Sequence, residues 1–371
     1  MVWMIIFMAL PLLGGAYLSW HLWTLLPLHP LWRCLIIGLL IGSFLMLFMN
    51  FGRRFDTLPL SVAQTCYEVS TSSVFIMLYL VLLFLVLDFG RLVHLVPRSW
   101  LYQNGITSAV VLVFIYGIFL YGNIHYKNKV RVPLELTTNK PLSHDYKIVM
   151  LSDLHIGYHN PRKELARWVD MVNAEKPDFI LIAGDIIDGS MRPLVEEHMA
   201  EEFPRLTAPV YACLGNHEYF SGNPEAQQFY HDAGIHLLID EAAVIDSNIV
   251  IIGRDDRTNM RRKPLQKLVS DHPLYRSGQG EAFTIVLDHQ PYNLDRTEAA
   301  GIDFQLSGHT HRGQVWPISW ITDRVYECSW GSHQRGNTRY YVSSGIGIWG
   351  GKFRIGTQSE YVVATISKQS R

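Results

Sequence analysis

The side chains of this 371-residue chain that could carry out chemistry are concentrated in five short motifs. In chain order these motifs are SDLH, GDIID, GNHE, LDHQP and GHTH. Carboxylates, one amide oxygen and imidazoles form an oxygen and nitrogen ligand set, which suits manganese, iron or zinc better than a metal that prefers thiolates. The candidate metal ligands are Asp153, His155, Asp185, Asn216, His289, His309 and His311.

The number of candidate ligands decides how many ions the site would hold. Seven ligands are too many for one ion, but they suffice for two ions if one carboxylate bridges them. Two metal ions about 3.5–4 Å apart form a known arrangement for displacement at phosphorus. We therefore expect two divalent cations, with Mn²⁺ as the first choice and Fe or Zn²⁺ as alternatives. His309 and His311 would point the same way in an extended segment, whereas a curved loop could direct one to each ion.

Each of the five motifs follows the end of a predicted strand. Strands are predicted at YKIVML, in PDFILIAGD between Pro177 and Gly184, at PVYACLGN, and within FTIVLDHQP and DFQLSGHTH, where each strand runs into a loop. Helical patterns such as the one around Trp168 and Val172 alternate with them. Alternating strands and helices indicate an α/β domain. In open α/β sheets, ligands bind at the carboxyl ends of the strands, so we expect the five loops to converge. The later strand patterns RYYVSS and EYVVATIS predict a second sheet packed on the first.

The first third of the chain has a different composition, with only eight charged side chains in residues 1–126. Each of four apolar runs is close to the roughly 20 residues that a helix needs to cross about 30 Å of hydrocarbon. These runs are Trp3–Leu25, Cys34–Phe51, Ser72–Leu87 and Thr107–Ile124. We predict an all-α transmembrane region of about four helices at residues 1–126, a linker at 127–144 and the α/β domain at 145–371.

The distribution of charge indicates an orientation and excludes some partners. With the N-terminus inside, the inner segments carry Arg53, Arg54, Lys127, Lys129 and Arg131, against Arg33, Arg91 and Arg98 outside. This modest positive-inside bias favours a multi-pass membrane protein whose α/β domain is cytoplasmic, although losing one crossing would reverse the orientation. The net charge of −1 gives no reason to expect a nucleic-acid partner. The sequence does not indicate an oligomeric state.

The ordered set of motifs resembles the calcineurin-like metallophosphoesterases, and the resemblance covers residues 146–367. It implies a four-layer fold in which two β-sheets lie between helices. It also implies a metal-dependent phosphoric ester hydrolase, either a phosphodiesterase or a pyrophosphohydrolase, that binds two divalent cations.

The resemblance also implies a role for each residue. Asp185 would bridge the two ions, and a hydroxide between them would attack phosphorus in line. His217 and Asn216 would stabilise the charge that develops, while Asp188 and Asp288 would orient ligands from outside. The ligands implied are Asp153, His155 and His311 for the first ion, and Asn216, His289 and His309 for the second.

The segments GHTHRGQVWP and YVSSGIGIWG are similar to a membrane-linked bacterial branch of this family, some members of which hydrolyse UDP-2,3-diacylglucosamine. A lipid-linked phosphodiester or pyrophosphate is therefore the expected substrate, and membrane lipids are expected partners. A broader phosphodiesterase or phosphatase acting on envelope or soluble substrates is the alternative enzyme. A membrane scaffold or sensor without activity is the alternative class, but the complete ligand set argues against it.

Three further features have two interpretations each. Arg312 stands where the branch often has a second glycine, and it could contact a substrate phosphate or point to solvent. The charged run RDDRTNMRRK is either a solvated loop or a cap that contacts an anionic substrate through residues such as Arg257 and Arg261. Trp316, Trp320 and Trp330 are expected in the core, with an acyl-chain site as the alternative. GIGIWG matches a dinucleotide-binding pattern, but a strand rather than a helix follows it.

Overall fold

The computed structural model describes residues 2–272 and 282–369, without the side chains of residues 2–9 and 51. The chain divides into two compact units. The helical unit comprises Met1–Ile124 and the short segment Gly350–Phe353. The α/β unit comprises His125–Trp349 and Arg354–Arg371.

Four long helices form the helical unit. They are α1 (Val2–Leu25), α2 (Pro30–Phe51), α3 (Leu60–Leu92) and α4 (Gly105–Lys127). Within the described residues, three segments of α2, α3 and α4 are long and apolar enough to cross a membrane, with mean hydropathies of 2.2, 2.5 and 2.0. Helix α1 coincides with the first predicted run, but the side chains of its first turns lie outside the described residues.

A polar cluster joins α1 to α3 inside the helical unit. The Tyr17 hydroxyl donates a hydrogen bond of 2.8 Å to Asp88 Oδ2, and His21 Nε2 lies 3.0 Å from the same oxygen. The His21 ring is buried and stacks on Phe84 at 4.4 Å. Ionisable groups in apolar helices are costly unless they are paired, so this cluster fixes the contact between the two helices.

The short segment Gly350–Phe353 packs entirely within the helical unit. The Phe353 ring lies 4.7 Å from Phe119 and 6.4 Å from Phe75, centroid to centroid. Lys352 Nζ lies 3.1 Å from the Glu68 carboxylate. Ring contacts and an ion pair therefore hold four residues that are far from the helices in sequence.

The α/β unit contains two mixed six-stranded sheets in the described residues, so the predicted second sheet is confirmed, although the EYVVATIS segment lies in the first sheet. The first sheet has the order β1-β12-β2-β3-β4-β5, and its strands are β1 (Lys129–Thr138), β2 (Tyr146–Leu151), β3 (Phe179–Ala183), β4 (Val210–Cys213), β5 (His236–Leu237) and β12 (Ser359–Lys368). The second has the order β10-β11-β9-β8-β7-β6, and its strands are β6 (Glu241–Ile245), β7 (Ile249–Gly253), β8 (Phe283–Leu287), β9 (Phe304–Ser307), β10 (Gly331–Arg335) and β11 (Thr338–Val342).

Seven helices accompany the sheets in the described residues. They are α5 (Arg162–Ala174), α6 (Arg192–Glu196), α7 (Asn216–Ser221), α8 (Asn223–Asp232), α9 (Leu265–Asp271), α10 (Leu294–Ala299) and α11 (Ile318–Val325). The short α6 does not continue into the apolar residues that follow it, which form a 3₁₀ turn at Met199–Arg205. His198 separates the two because its φ of 53° cannot continue a right-handed helix.

Alternation along the strands builds the core. In β2, Ile148 and Met150 belong to a buried cluster shared by both sheets, whereas Val149 and Leu151 belong to a second cluster with α5. Successive side chains of a strand point to opposite faces, so one strand supplies both clusters. A third cluster joins strands of the second sheet to α9 through residues such as Val269. The carboxyl ends of the central strands are thereby held at fixed positions.

The structure corrects the prediction of a linker at residues 127–144. Ten of these residues form β1, which pairs in parallel with β12 from Lys129↔Ser359 to Thr138↔Lys368. Leu134 and Leu136 alternate with exposed residues and are buried in the core shared by the two sheets. This alternation is typical of a strand, but its partner strand lies more than two hundred residues further along the chain.

The expectation that Trp316 and Trp320 are buried is wrong. Their side chains are 41% and 63% exposed, and their rings contact each other edge to face at 5.4 Å. Both residues lie on or just before α11, whose Ile321 and Val325 are also exposed. Apolar residues on a short amphipathic helix resemble a core pattern in sequence, since the pattern alone does not show which face is covered.

Candidate metal centre

All five sequence motifs lie at carboxyl ends of strands, as predicted. SDLH, GDIID and GNHE follow the parallel neighbours β2, β3 and β4, while LDHQP and GHTH follow the parallel neighbours β8 and β9. The carboxyl ends of parallel strands share one edge of a sheet, and both sheets contribute such an edge here. The structure brings the candidate ligands together into adjoining groups at this place.

The first group consists of Asp153, His155 and His311. One ligand atom from each residue lies within 4.8 Å of the others. Nε2 of His155 is 3.1 Å from Nε2 of His311, and Asp153 Oδ1 is 3.5 Å from the latter atom. A carboxylate and two imidazole nitrogens therefore face a common point.

The second group consists of Asp185, His289 and His309, again with ligand atoms within 4.8 Å. His289 Nδ1 lies 2.7 Å from the Ala183 carbonyl oxygen and can only donate to it. This bond leaves Nε2 as the nitrogen with a lone pair, 3.0 Å from Asp185 Oδ2. A histidine that donates one N–H to a backbone carbonyl and presents its other nitrogen has the tautomer of a metal ligand.

Asp185 and Asn216 complete the arrangement. Asp185 Oδ2 is also 3.7 Å from His155 Nε2 of the first group, so its carboxylate lies between the two groups. Asn216 Oδ1 is buried and accepts no hydrogen bond from the described residues. A buried acceptor without a partner costs folding free energy, which a cation at this position would offset. The residues present thus fit two divalent cations that share Asp185.

The protonation of the imidazoles is set by burial and by neighbouring carboxylates. Burial lowers the pKa of His309 to about 4 and that of His311 to about 3. Both are therefore neutral near pH 7, which is the form that binds metals. Burial also opposes the charged form of His155, but the nearby carboxylates of Asp153 and Asp188 outweigh it and raise the pKa to about 10. A cation in the first group would take the place of that proton.

Five of the candidate ligands have an unusual backbone conformation. The φ angles of Asp153, His155, Asp185, His309 and His311 are 53°, 45°, 52°, 72° and 47°. Left-handed backbone is uncommon outside glycine, although aspartate and histidine adopt it more often than most residues. The loops therefore turn sharply at these residues.

Glu218 holds two of the ligand loops together. Its fully buried carboxylate accepts hydrogen bonds from the backbone N–H groups of Gly215 at 2.7 Å, Ile187 at 3.1 Å and Asp185 at 3.2 Å. Burial raises its pKa, and the nearby Asp185 carboxylate adds to this effect. The sequence shows Glu218 within GNHE but does not show that it fixes the Asp185 loop.

His217 and Asp188 lie beside the first group. His217 Nδ1 is 3.1 Å from Asp188 Oδ1, and the same oxygen is 3.6 Å from His155 Nδ1. Burial alone would raise the pKa of Asp188, but these two neighbouring imidazoles hold it well below its usual range. The His217 side chain is 16% exposed, against 0% for His155, so it can meet a bound molecule.

The remaining candidates lie in different places. Asp288 pairs with Arg262 at 3.0 Å and with Arg254 at 4.0 Å, which places it in a basic surface rather than against a candidate ligand. Arg312 stacks on the Trp330 ring at 4.1 Å. Arg257 stacks on Tyr292 at 4.0 Å, whereas Arg261 is exposed.

Sequence reasoning missed Arg354, a fully buried arginine that supports the first group. It donates hydrogen bonds to the carbonyl oxygens of His311 at 2.8 Å, Gly347 at 3.2 Å and Ser344. The glycines of GIGIWG were the available signal. A Cβ on Gly347 would lie 2.1 Å from the Leu154 carbonyl oxygen, so this loop must approach the ligand loop closely.

Gly308 gives a test of how tightly the first group is packed. A Cβ at this position would lie 2.3 Å from Asp153 Oδ2 and 2.7 Å from Ser152 Cβ. We expect Gly308→Ala to displace Asp153 and to lower kcat/KM by about 10²-fold, as misplacement by about 1 Å can do. Gly117→Ala, on α4, is the control, because nothing lies within 4 Å of its added Cβ and its backbone is not left-handed. Equal activity of the two variants would contradict the packing.

Comparison with known proteins agrees with this geometry. A family model described as calcineurin-like phosphoesterase matches residues 146–313. An uncharacterized metallophosphoesterase of Aquifex aeolicus is 30% identical over 236 residues, covering 62% of this chain and 88% of the relative. A zebrafish transmembrane protein with a metallophosphoesterase domain is 28% identical over 358 residues, covering 89% of this chain and 79% of the relative.

A solved structure of a 5′-nucleotidase precursor from Thermus thermophilus is also similar, with 17% identity and a TM-score of 0.38. The match covers 60% of this chain and 54% of that one. The two-cation ligand set and the sequence relatives together define a metal-dependent phosphoric ester hydrolase. The chain belongs to the calcineurin-like phosphoesterase family, and the predicted resemblance is confirmed.

Proposed function

We propose that the chain is a membrane-anchored phosphoesterase in which two cations are held by the two ligand groups and share Asp185. The observation that supports this most strongly is the position of the Asp185 carboxylate between His289, at 3.0 Å, and His155, at 3.7 Å. The first ion would be bound by Asp153, His155 and His311, and the second by Asn216, His289 and His309. Mn²⁺ is the proposed metal, with Fe or Zn²⁺ as alternatives.

When bound, two divalent cations would polarise the phosphoryl oxygens and lower the pKa of the attacking water. The side chains of the protein would position the substrate phosphate and stabilise its charge. His217, the most exposed of the imidazoles near the first group, would donate a hydrogen bond or a proton to the phosphate. Asp188 would orient His217 through the 3.1 Å contact at Nδ1, leaving Nε2 for the substrate. Burial of the ligands would exclude bulk water from the reacting atoms.

The proposed substrate is a lipid-linked phosphodiester or pyrophosphate, with UDP-2,3-diacylglucosamine as the named candidate. The similarity of GHTHRGQVWP and YVSSGIGIWG to the membrane-linked branch supports this choice, as does the presence of apolar helices. An enzyme whose substrate is a lipid gains from being anchored where the lipid is.

The test is hydrolysis of UDP-2,3-diacylglucosamine by the detergent-purified, Mn²⁺-loaded full chain. We expect release of UMP by the wild type and none by Asp185→Asn. A wild type that cleaves bis(p-nitrophenyl) phosphate but not the lipid would contradict this substrate and retain the two-cation mechanism. A wild type that cleaves neither compound would contradict the mechanism as well.

We further propose that all four long helices cross a bacterial inner membrane and that the α/β unit is cytoplasmic and has the four-layer fold. The three candidate spans support the membrane crossings. The three buried clusters on and between the sheets support the four-layer fold. Maleimide labelling of Lys267→Cys in intact cells should require permeabilisation of the inner membrane. Labelling without permeabilisation would place the α/β unit outside.

A further inference from the structure

A basic cavity lies next to the second ligand group. Its volume is about 480 Å³, and its walls come from the loop between β7 and α9 and from the loop between β8 and α10. Five of its lining residues are cationic, and one is a carboxylate. The cationic residues are Arg254, Arg257, Arg262, Lys263 and Arg296, and the carboxylate is Asp288.

Only two of these cations are neutralised by carboxylates in the described part of the chain. Arg262 pairs with Asp288 at 3.0 Å, and Arg254 lies 3.3 Å from Asp240. Arg257, Lys263 and Arg296 have no carboxylate within ion-pair distance among the described residues. Three cations that line one cavity repel each other, and a bound anion would relieve this repulsion.

The cavity is connected to the metal centre by direct contacts. Arg257 lies 4.0 Å from the ring of Tyr292, whose hydroxyl is 3.0 Å from that of Tyr326. The Tyr326 ring lies 6.4 Å from His309, a candidate ligand of the second ion. Asp288, which lines the cavity, immediately precedes His289 in the chain. Two tyrosines therefore separate the cavity from a candidate ligand of the second ion.

We propose that this cavity binds a second phosphate group of the substrate, so that the preferred substrate has one phosphate at the ions and another among Arg257, Lys263 and Arg296. The proposal rests on the proposed function and narrows its substrate class to compounds with at least two phosphate groups. Arginine suits this task because its planar fork matches the oxygens of a phosphate, whereas Lys263 adds a point charge. The second phosphate could belong to a lipid headgroup or to a soluble nucleotide.

Two matched pairs of compounds test the preference in the metal-loaded full chain. The first pair is the p-nitrophenyl ester of thymidine 5′-monophosphate with and without a 3′-phosphate. The second is phosphatidylinositol 4-phosphate and phosphatidylinositol in detergent micelles. We expect kcat/KM to be about tenfold higher or more for the bis-phosphorylated member, the effect of one charge-assisted contact. Preference in the first pair alone indicates a soluble substrate, and preference in the second alone a lipid.

The variant Arg257→Gln/Lys263→Gln/Arg296→Gln should lose this preference. Lys267→Gln, an exposed cation on α9 outside the cavity, should keep it. Absence of the preference in both pairs, or its persistence in the triple variant, would overturn the proposal.

Binding to the metal-free chain separates this proposal from the proposed function. Inorganic tripolyphosphate should bind the metal-free full chain in a titration calorimeter, with an affinity that falls as salt rises. The triple variant should bind at least about tenfold more weakly. Loss of tripolyphosphate binding in the triple variant supports phosphate binding by the cavity, even if no substrate is hydrolysed. Equal binding by the wild type and the triple variant contradicts it.

Discussion

Asp185→Asn should lower kcat by about 10²–10³-fold or more and release both cations more readily than the wild type. The carboxylate lies between the two ligand groups, so its loss removes a negative charge from both ions at once. The substitution should leave the fold intact, because Asp185 Oδ1 accepts a 2.9 Å hydrogen bond from the His217 backbone N–H and an asparagine oxygen can do the same. Turnover of bis(p-nitrophenyl) phosphate and the metal content after desalting would measure the two effects.

Two other variants make this result specific. His217→Gln should also lose turnover but should retain both ions, because His217 is assigned to the substrate rather than to a cation. Asp232→Asn, on the exposed end of α8, should behave as the wild type. Full turnover by metal-replete Asp185→Asn would show that the two groups do not share this carboxylate.

Arg354→Leu should destabilise the α/β unit by about 3–5 kcal/mol, which corresponds to a fall in Tm of roughly 6–20 °C. Burial lowers the pKa of Arg354 to about 10, so the guanidinium remains charged near neutral pH. Leucine would leave the carbonyl oxygens of His311, Ser344 and Gly347 without their buried donor. Thermal unfolding followed by tryptophan fluorescence of the full chain in detergent would give the Tm.

Arg354→Lys provides the matched comparison. Lysine keeps the charge, but its ammonium group lacks the planar fork with which arginine reaches several carbonyl oxygens. We therefore expect a Tm between those of the wild type and Arg354→Leu. A Tm of Arg354→Leu equal to that of the wild type would show that the GIGIWG loop is held by other contacts.

The sequence predicts the α/β elements and the place of the site because both depend on short-range patterns. β2 matches its predicted range, Tyr146–Leu151, because its apolar run is bounded by charged residues. Asp153 and His155 follow it directly, so the position of the strand fixes the position of the motif. Strand ends of one sheet lie at a common edge, and this rule alone brings distant motifs together.

The features that the sequence does not predict depend on long-range contacts. Arg354 resembles any surface arginine in sequence, and only the fold shows that it is buried under His311. The cations of the basic cavity come from two stretches, the charged run that holds Arg257 and Lys263 and the helix that holds Arg296, and no spacing relates the two. The sequence does not predict β1 for a similar reason, because its partner β12 is near the other end of the chain.

The left-handed backbone of the ligands also has a consequence for how such sequences evolve. Each residue held in this conformation costs folding free energy, of order 1–3 kcal/mol, which glycine would largely avoid. Asp153, His155, Asp185, His309 and His311 are all in this conformation. A descendant that is no longer selected for hydrolysis would be freed of this conformational cost at each of these residues that it exchanged for glycine. Replacement of the ligand residues by glycine, rather than substitution of core residues, would be the first sign of a pseudoenzyme derived from this chain.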